Sequence, residues 1–511
     1  MNLATIVEGH PDDSTALISG PGKVTYGQLR ADAARVRAAL HELGVGPGER
    51  VVLSLGNVAV FPAVYLGVLG VGAVAVPVDP TQPAAALETE IDLVRPSLVV
   101  VGAASGPDSD QADQAAEGRA VQVVGADDLL GEKDPAGEVP IVERAADDVA
   151  VLIFTAGTIG PPRAAMLTHG SIHSNMEQVQ DHPGRALVPG DVSYGVLPFF
   201  HVFGLNVVLG LSLLAGASVL IVERFDAAQA LQDIPRHRVT VLAGAPPLFA
   251  ALTAAGAPAA GPGPDPGPEL TSVRLAVSGA SALPPEVGEG FEERFGLPLW
   301  QGYGLTEASP VVTSSVIGGM SKPGSVGVPI PGVELRLVDE SGQDALVGDP
   351  GELWARGPNV FAGYWEDPEA TAAVLTRDGW LRTGDVGVVD DDEYVYLVDR
   401  AKDLIIVSGF NLYPAEVEHV LTSHPDVVEA AAVGAPDHRT GEAVHAYVVL
   451  EAAAARNRSA AEVEAELSAW CRARLAGYKC PSVIRVVEGL PHGLAGKLLR
   501  RALKEGTVAP L

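Results

Sequence analysis

Residues 154–165 read FTAGTIGPPRAA and follow Val149–Phe154, an apolar run of mostly β-branched or aromatic residues bounded by Asp147 and Asp148. The run has the character of a buried parallel strand. Thr168 and Ser171 offer helix N-caps downstream, so the spacing predicts a glycine-rich loop between a strand and a helix. Such a loop can turn backbone N–H groups toward an anion, although an ordinary strand-to-helix turn has the same composition. Three further polar groupings accompany it. QGYGLTEASP at 301–310 places an aromatic, a hydroxyl and a carboxylate within five positions; GWLRTGDVG at 379–387 places Asp385 in a turn; PHGLAGKLLRR at 491–501 places Lys497 after a glycine. Singly, these are a capping Thr–Glu pair, a turn aspartate and a solvated lysine. Their presence together, in this order, points to a site.

The elements that must position these residues are legible from hydrophobic pattern. Val51–Val78 and Val192–Val222 carry no Asp, Glu, Lys or Arg, and each exceeds the roughly 20 residues a bilayer core requires. Glycine and proline break the first into VVLSL, VFPAVYLGVLGVG and AVAVPV, which is strand, helix and strand; the second divides the same way around His201. Thr25–Leu43 has helical spacing with Thr25 as N-cap. Residues 103–118 are polar and acidic, as in a surface loop, and 256–269 are rich in proline and glycine without a repeat. Tyr413-Pro414 opens a helix, and EAAAV, HAYVVL and a helix from Ala460 to Leu475 outline a compact α+β domain.

Composition excludes several function classes. The chain has 511 residues and is 47% hydrophobic, enough for two or more domains. With 34 basic against 64 acidic residues the net charge is −30, unsuited to nucleic acid or anionic membrane. Cys471 and Cys480 have no metal-ligand spacing, and the start lacks a basic region before a long apolar one. A cytoplasmic protein with neither signal peptide nor transmembrane segment is expected.

With these motifs in view, the chain resembles the adenylate-forming superfamily of acyl-CoA synthetases, peptide-synthetase adenylation domains and beetle luciferases. The resemblance runs from VTYGQLRADAARVRAAL to GKLLRRAL. LPFFHVFGLN, AGAPPLFAAL, GELWARGPNVFAGYW and VSGFNLYPAEVE are most similar to bacterial fatty acyl-CoA ligases. The resemblance implies an α/β fold: a large N-terminal domain of helix-covered β-sheets at 1–400, and a small mobile C-terminal α+β domain at 401–511 carrying the catalytic lysine. It implies ATP, Mg2+ and CoA as cofactors or co-substrates and a fatty acid as substrate. A ligase loading an acyl carrier protein, or a non-catalytic binding relative, stays open.

Residue by residue, the resemblance assigns Lys497 to bridging carboxylate and α-phosphate, Thr306 to the α-phosphate and Glu307 to Mg2+. Tyr303 and Gly304 would face adenine opposite Ser278, Gly279 and Ala280. Asp385 would take the ribose hydroxyls, and Arg400 the ribose or phosphate. Thr155, Gly157, Thr158, Gly160 and Arg163 would cradle the β- and γ-phosphates. His201 would lie beside the reacting carboxylate, Lys402 at a hinge, and Ser408, Gly409 and Phe410 along the pantetheine arm. The loop departs from the family pattern: Ala156 stands for Ser or Thr, Ile159 for Thr, Arg163 for Lys and Ala164 for Gly. Two hydroxyl donors are therefore absent.

Overall fold

The hairpin β1 (Thr15–Ser19) and β2 (Gly22–Thr25) hands the chain to the helix Tyr26–Glu42. Thr25 caps that helix as its spacing predicts. Its Oγ1 accepts from Gln28 N at 3.2 Å, and Gln28 Oε1 accepts from Thr25 N at 2.9 Å, a reciprocal capping box. The first long apolar run then folds as β3 (Arg50–Ser54), the helix Phe61–Gly70 and β4 (Val74–Val78), buried throughout except at Arg50. Among the described residues no helix is long and apolar enough to cross a membrane.

The computed structural model describes the chain except for residues 83, 103–106, 132–138, 156–162, 182–185, 256–269, 340, 401–404, 408–409, 413, 438–439, 452–457, 476, 493–497 and 505–511. It divides into two compact units, Met1–Leu335 with Ala355–Arg382, and Arg336–Trp354 with Thr383–Leu511. Residue 400, where sequence placed the domain boundary, ends the strand Val395–Arg400 within the second unit.

Two sheets organise the first unit. β3 and β4 join β5 (Leu98–Val101), β6 (Gln122–Gly125), β7 (Val149–Thr155) and β8 (Arg163–Thr168) in the order β6-β5-β3-β4-β7-β8. Every pairing is parallel except β7 with β8. Segment 103–118, expected as a loop, contains a helix at Pro107–Ala116. Ala112 and Ala115, three apart and fully buried, give it an apolar face that its acidic composition conceals.

The larger sheet takes in β9 (Val192–Gly195), β10 (Ser218–Ile221), β11 (Val241–Gly244), β12 (Leu275–Ser278), β13 (Leu299–Gly304), β14 (Val311–Ser314) and β15 (Val328–Pro329). Its order is β15-β14-β13-β12-β11-β9-β10-β1-β2. Phe249 and Phe291, edge to face at 5.2 Å, anchor the core on one side of it. Between β9 and β10 the second apolar run forms a π-helix, Phe203–Gly210, continued by the α-turn Leu211–Leu214. π-Segments of this kind recur at functional sites.

In the second unit, Val427–Asp437 and Gly441–Leu450 form a long antiparallel pair, and Val483–Val486 runs parallel to the latter. The helices Pro414–Thr422 and Ala460–Arg472 cover them, with Val417, Leu421, Val463 and Leu467 in the core. The α+β reading of this region holds. Cys471 and Cys480 are free thiols, and burial pushes the Cys471 thiol up to about 11.

Candidate active site

The glycine-rich stretch lies between two strands, not between a strand and a helix. Residues 164, 165 and 167 of the RAAMLT segment are buried, and pairing with β7 gives this segment strand structure. The helix capped by Thr168 starts only at His169. The helix N-terminus is therefore separated from residues 156–162 by the whole of β8. Thr155 and Arg163, the loop's two ends, are register partners, and Thr155 Oγ1 lies 3.4 Å from Arg163 O. Gly157, Thr158 and Gly160, with Ala156 and Ile159, lie outside the described residues.

Arg163 connects this hairpin to Glu307. Its Nε pairs with Asp367 Oδ2 at 3.1 Å, and its guanidinium carbon stands 5.7 Å from the Tyr364 ring centroid. The Tyr364 hydroxyl donates to Glu307 Oε1 at 2.6 Å, while Phe361 N donates to Glu307 O at 2.9 Å. Burial first, and then the Glu307 carboxylate, raise the Tyr364 phenol far above its usual range, so it stays a proton donor. Glu307 is thus held through both side chain and backbone. Asp367 also caps the helix Pro368–Val374, which fixes the far end of the chain of contacts.

β12 and β13 present the remaining candidates of the first unit. Their parallel register aligns Ser278 with Gln301. Ser278 and Gly279 are buried, Ala280 takes a left-handed φ of 69°, and Tyr303 is 9% exposed. At Gly304 a Cβ would sit 2.1 Å from Pro310 O, so only glycine lets the chain turn there. Thr306–Ala308 then forms a short 3-10 turn with Thr306 and Glu307 half-buried.

The π-helix meets this region at two points. A Cβ on Gly279 would lie 3.2 Å from the Phe203 ring. The buried Asn206 Nδ2 donates to Ser309 O, two residues after Glu307. His201, just before the π-helix, accepts from Phe203 N at Nδ1 over 3.3 Å. Burial lowers the His201 pKa, favouring the neutral imidazole.

In the second unit Asp385 is buried, takes a backbone bond from its own N–H to Thr383 Oγ1 at 3.1 Å, and is the register partner of Arg400. Phe410 pairs with Val407 in a short hairpin. Lys402, Ser408, Gly409 and Lys497 lie outside the described residues.

Sequence reasoning overlooked Tyr364, Asp367 and Asn206. Tyr364 lies in GELWARGPNVFAGYW and Asn206 ends LPFFHVFGLN, segments quoted without a role for either residue. The signal for Asn206 was present: a lone amide inside an apolar run must find a hydrogen-bond partner when buried. Tyr364 had no such signal, because its partner is 57 residues away.

Comparisons with known proteins agree with this architecture. Residues 3–365 match the AMP-binding enzyme family and 416–497 match the AMP-binding enzyme C-terminal domain. The long-chain-fatty-acid–CoA ligase of Bacillus subtilis strain 168 is 34% identical, covering 96% of this chain and 92% of its own. 4-Coumarate–CoA ligase 2 of Oryza sativa subsp. japonica is also 34% identical, over 97% of this chain and 90% of its own. Among solved structures, ATP-bound MatB from Rhodopseudomonas palustris superposes with a TM-score of 0.88 at 31% identity, covering 99% of both chains. A strand-borne Thr-Glu turn in the first unit, a buried aspartate in the second, and a family match spanning both lead to one conclusion: this chain belongs to the AMP-binding enzyme family.

Proposed function

We propose that this enzyme activates a medium- to long-chain fatty acid with ATP and passes the acyl group to CoA. The observation that carries the reading is the near full-length similarity to a named long-chain-fatty-acid–CoA ligase. The apolar segment after His201 supports it, since no acidic side chain lies there to pair with a substrate amine.

In the first step a carboxylate oxygen attacks the α-phosphorus of ATP, forming acyl-AMP as pyrophosphate leaves. Two anions meet, so the site must neutralise charge as the transition state develops. Lys497 supplies a mobile point charge between carboxylate and α-phosphate, and Thr306 donates to the α-phosphate. Tyr303 stacks on adenine beside Ser278–Ala280, and Asp385 accepts the ribose hydroxyls, with Arg400 alongside. Neutral His201, whose Nδ1 accepts from Phe203 N, donates its Nε2 proton to the carboxylate without adding charge of its own. In the second step the CoA thiolate attacks the acyl carbon and AMP departs. Residues 401–511 act as a lid that turns at Lys402, withdrawing Lys497 and bringing Ser408–Phe410 to line the pantetheine arm.

Glu307 fits a magnesium ion. It offers a half-buried carboxylate with one oxygen oriented by Tyr364, and no cluster of three ligating side chains occurs among the described residues. One carboxylate suits an ion that keeps its waters and shares phosphate oxygens. Bound there, Mg2+ would offset phosphate charge.

The deciding experiment is pyrophosphate release from purified protein with Mg-ATP and fatty acids from short to long, each with and without CoA. CoA-dependent turnover is the expected result and gives chain-length preference directly. Arrest at acyl-AMP despite CoA would move the acceptor to a carrier protein. Absence of release with every acid would leave a binding protein with an impaired loop.

A further inference from the structure

We infer that Asn175 and Asn359 are positioning residues for Thr306 and Glu307: two buried amides that hold the turn after Glu307 by its carbonyl oxygens. The inference rests on the reading that Thr306 and Glu307 meet the phosphates and magnesium of ATP. Asn175 lies on the helix His169–Gln180 and Asn359 just before Phe361, and each is 1% exposed. Both belong to the same compact unit as the turn.

From Leu305 to Val311 every carbonyl oxygen accepts from a donor within this unit. The turn supplies three donors itself: Ala308 N to Leu305 O at 2.9 Å, Ser309 N to Thr306 O at 3.1 Å, and Leu305 N to Pro310 O at 3.0 Å. The other carbonyls depend on neighbours. Glu307 O accepts from Phe361 N at 2.9 Å, Ala308 O from Asn359 Nδ2 at 2.9 Å, and Ser309 O from Asn206 Nδ2. Val311 O accepts from Asn175 Nδ2 at 2.9 Å and from Asn359 Nδ2 at 3.1 Å, while Asn175 Oδ1 accepts from Val311 N at 3.2 Å.

Ser309 takes a left-handed φ of 66°, a conformation that a residue with a side chain adopts at a cost, so the surroundings must dictate the shape of the turn. Asn359 shows what that requires. Its Oδ1 is buried and accepts no hydrogen bond among the described residues, and a Cβ on Gly357 would stand 2.6 Å from it. A buried acceptor without a partner is costly, so the two bonds this amide donates have to outweigh it. The benefit is electrostatic. A carbonyl oxygen free to swing toward the nucleotide would repel a phosphate, whereas each of these is committed to a protein donor. The turn is set before ATP arrives, and Thr306 and Glu307 need not be reoriented as charge develops.

The test uses Asn175→Ala, Asn359→Ala and Asn359→Leu, the last of which keeps bulk but has no donor, with Glu307→Gln as reference, all in the full-length protein. Calorimetry gives the affinities for Mg-ATP and for adenosine, which lacks phosphate. Acyl-AMP formation is measured at saturating substrates, and thermal melting checks folding. The expected result is Mg-ATP binding weakened about tenfold, as when one hydrogen bond to a charged group is no longer well placed. Adenosine binding should stay within about twofold, since it makes no phosphate contact. Acyl-AMP formation should slow by on the order of a hundredfold, as a misplacement of about 1 Å does. Parental Mg-ATP affinity or parental acyl-AMP formation in the variants would overturn the proposal. Equal weakening of adenosine and Mg-ATP would do so too, because it marks a purely structural pair, as would failure of all three variants to melt cooperatively, because the effect assigned is on one turn. Glu307→Gln with parental Mg-ATP affinity would overturn the underlying assignment of Glu307 itself, an outcome distinct from the others.

Discussion

Glu307 illustrates how a single side chain is prepared by others. With Tyr364 donating to one carboxylate oxygen and Phe361 to the backbone, its rotamer is chosen before any ligand arrives. A hydrogen bond to a charged acceptor is worth about 1.5–3 kcal/mol. Tyr364→Phe should therefore raise the Mg2+ concentration for half-maximal pyrophosphate release about ten- to a hundredfold at fixed ATP. An unchanged Mg2+ requirement would mean that the carboxylate needs no such help. Asp385→Ala should raise the ATP requirement steeply while leaving the fatty-acid requirement alone, as initial-rate kinetics would show. At this scale Thr306, Glu307 and Asp385 were legible as residue types at spacing. Tyr364, Asp367 and Asn206 were not, because each acquires its role from a partner distant in the chain.

Among elements, the hairpin β7–β8 replaces the expected strand-to-helix turn, and the difference bears on the missing hydroxyls. A loop that precedes a helix could borrow the helix's aligned N–H groups, whereas a hairpin loop has only its own. Each absent hydroxyl withholds about 0.5–1.5 kcal/mol net. Ala156→Ser with Ile159→Thr should accordingly lower the ATP requirement; no gain would show that backbone donors already suffice. A second element-scale prediction concerns the N-terminal segment. Buried His169 accepts from Leu3 N at 3.1 Å, and burial, reinforced by Arg144, lowers its pKa from 6.5 to about 4. The unfolded histidine takes up a proton below about pH 6.5 while the folded one resists until about pH 4. Stability from this site is therefore complete above pH 6.5 and is lost as pH falls, by about 2 kcal/mol at pH 5. Hydrogen exchange of residues 1–10, corrected for intrinsic rate, should show that loss, and His169→Asn should remove its pH dependence. Strands with unbroken apolar runs were readable from sequence. β8 and the helix Pro107–Ala116 were not, since the first is short and follows two prolines, and the second hides its buried face among acidic residues.

For the whole molecule, two family models together cover most of the chain. The fold class was legible because buried parallel strands alternate with helices. The placement of the division was less so: the second unit also takes Arg336–Trp354, which precedes residues assigned to the first, an arrangement no composition shift announces. Under the proposed function the lid serves two half-reactions in turn. Gly409→Leu should then leave acyl-AMP formation intact and block thioester formation, the reverse of Lys497→Ala. Undiminished CoA turnover in Gly409→Leu would refute the tunnel assignment.

Asn206 carries a consequence of another kind. It joins the π-helix behind His201 and Phe203 to the turn that follows Glu307, so fatty acid and nucleotide would lean on one shared element. Binding energies linked in this way obey reciprocity: whatever factor the fatty acid contributes to ATP affinity, ATP must return to fatty-acid affinity. Calorimetry in both orders would yield a single coupling constant, and Asn206→Ala should bring that constant toward one.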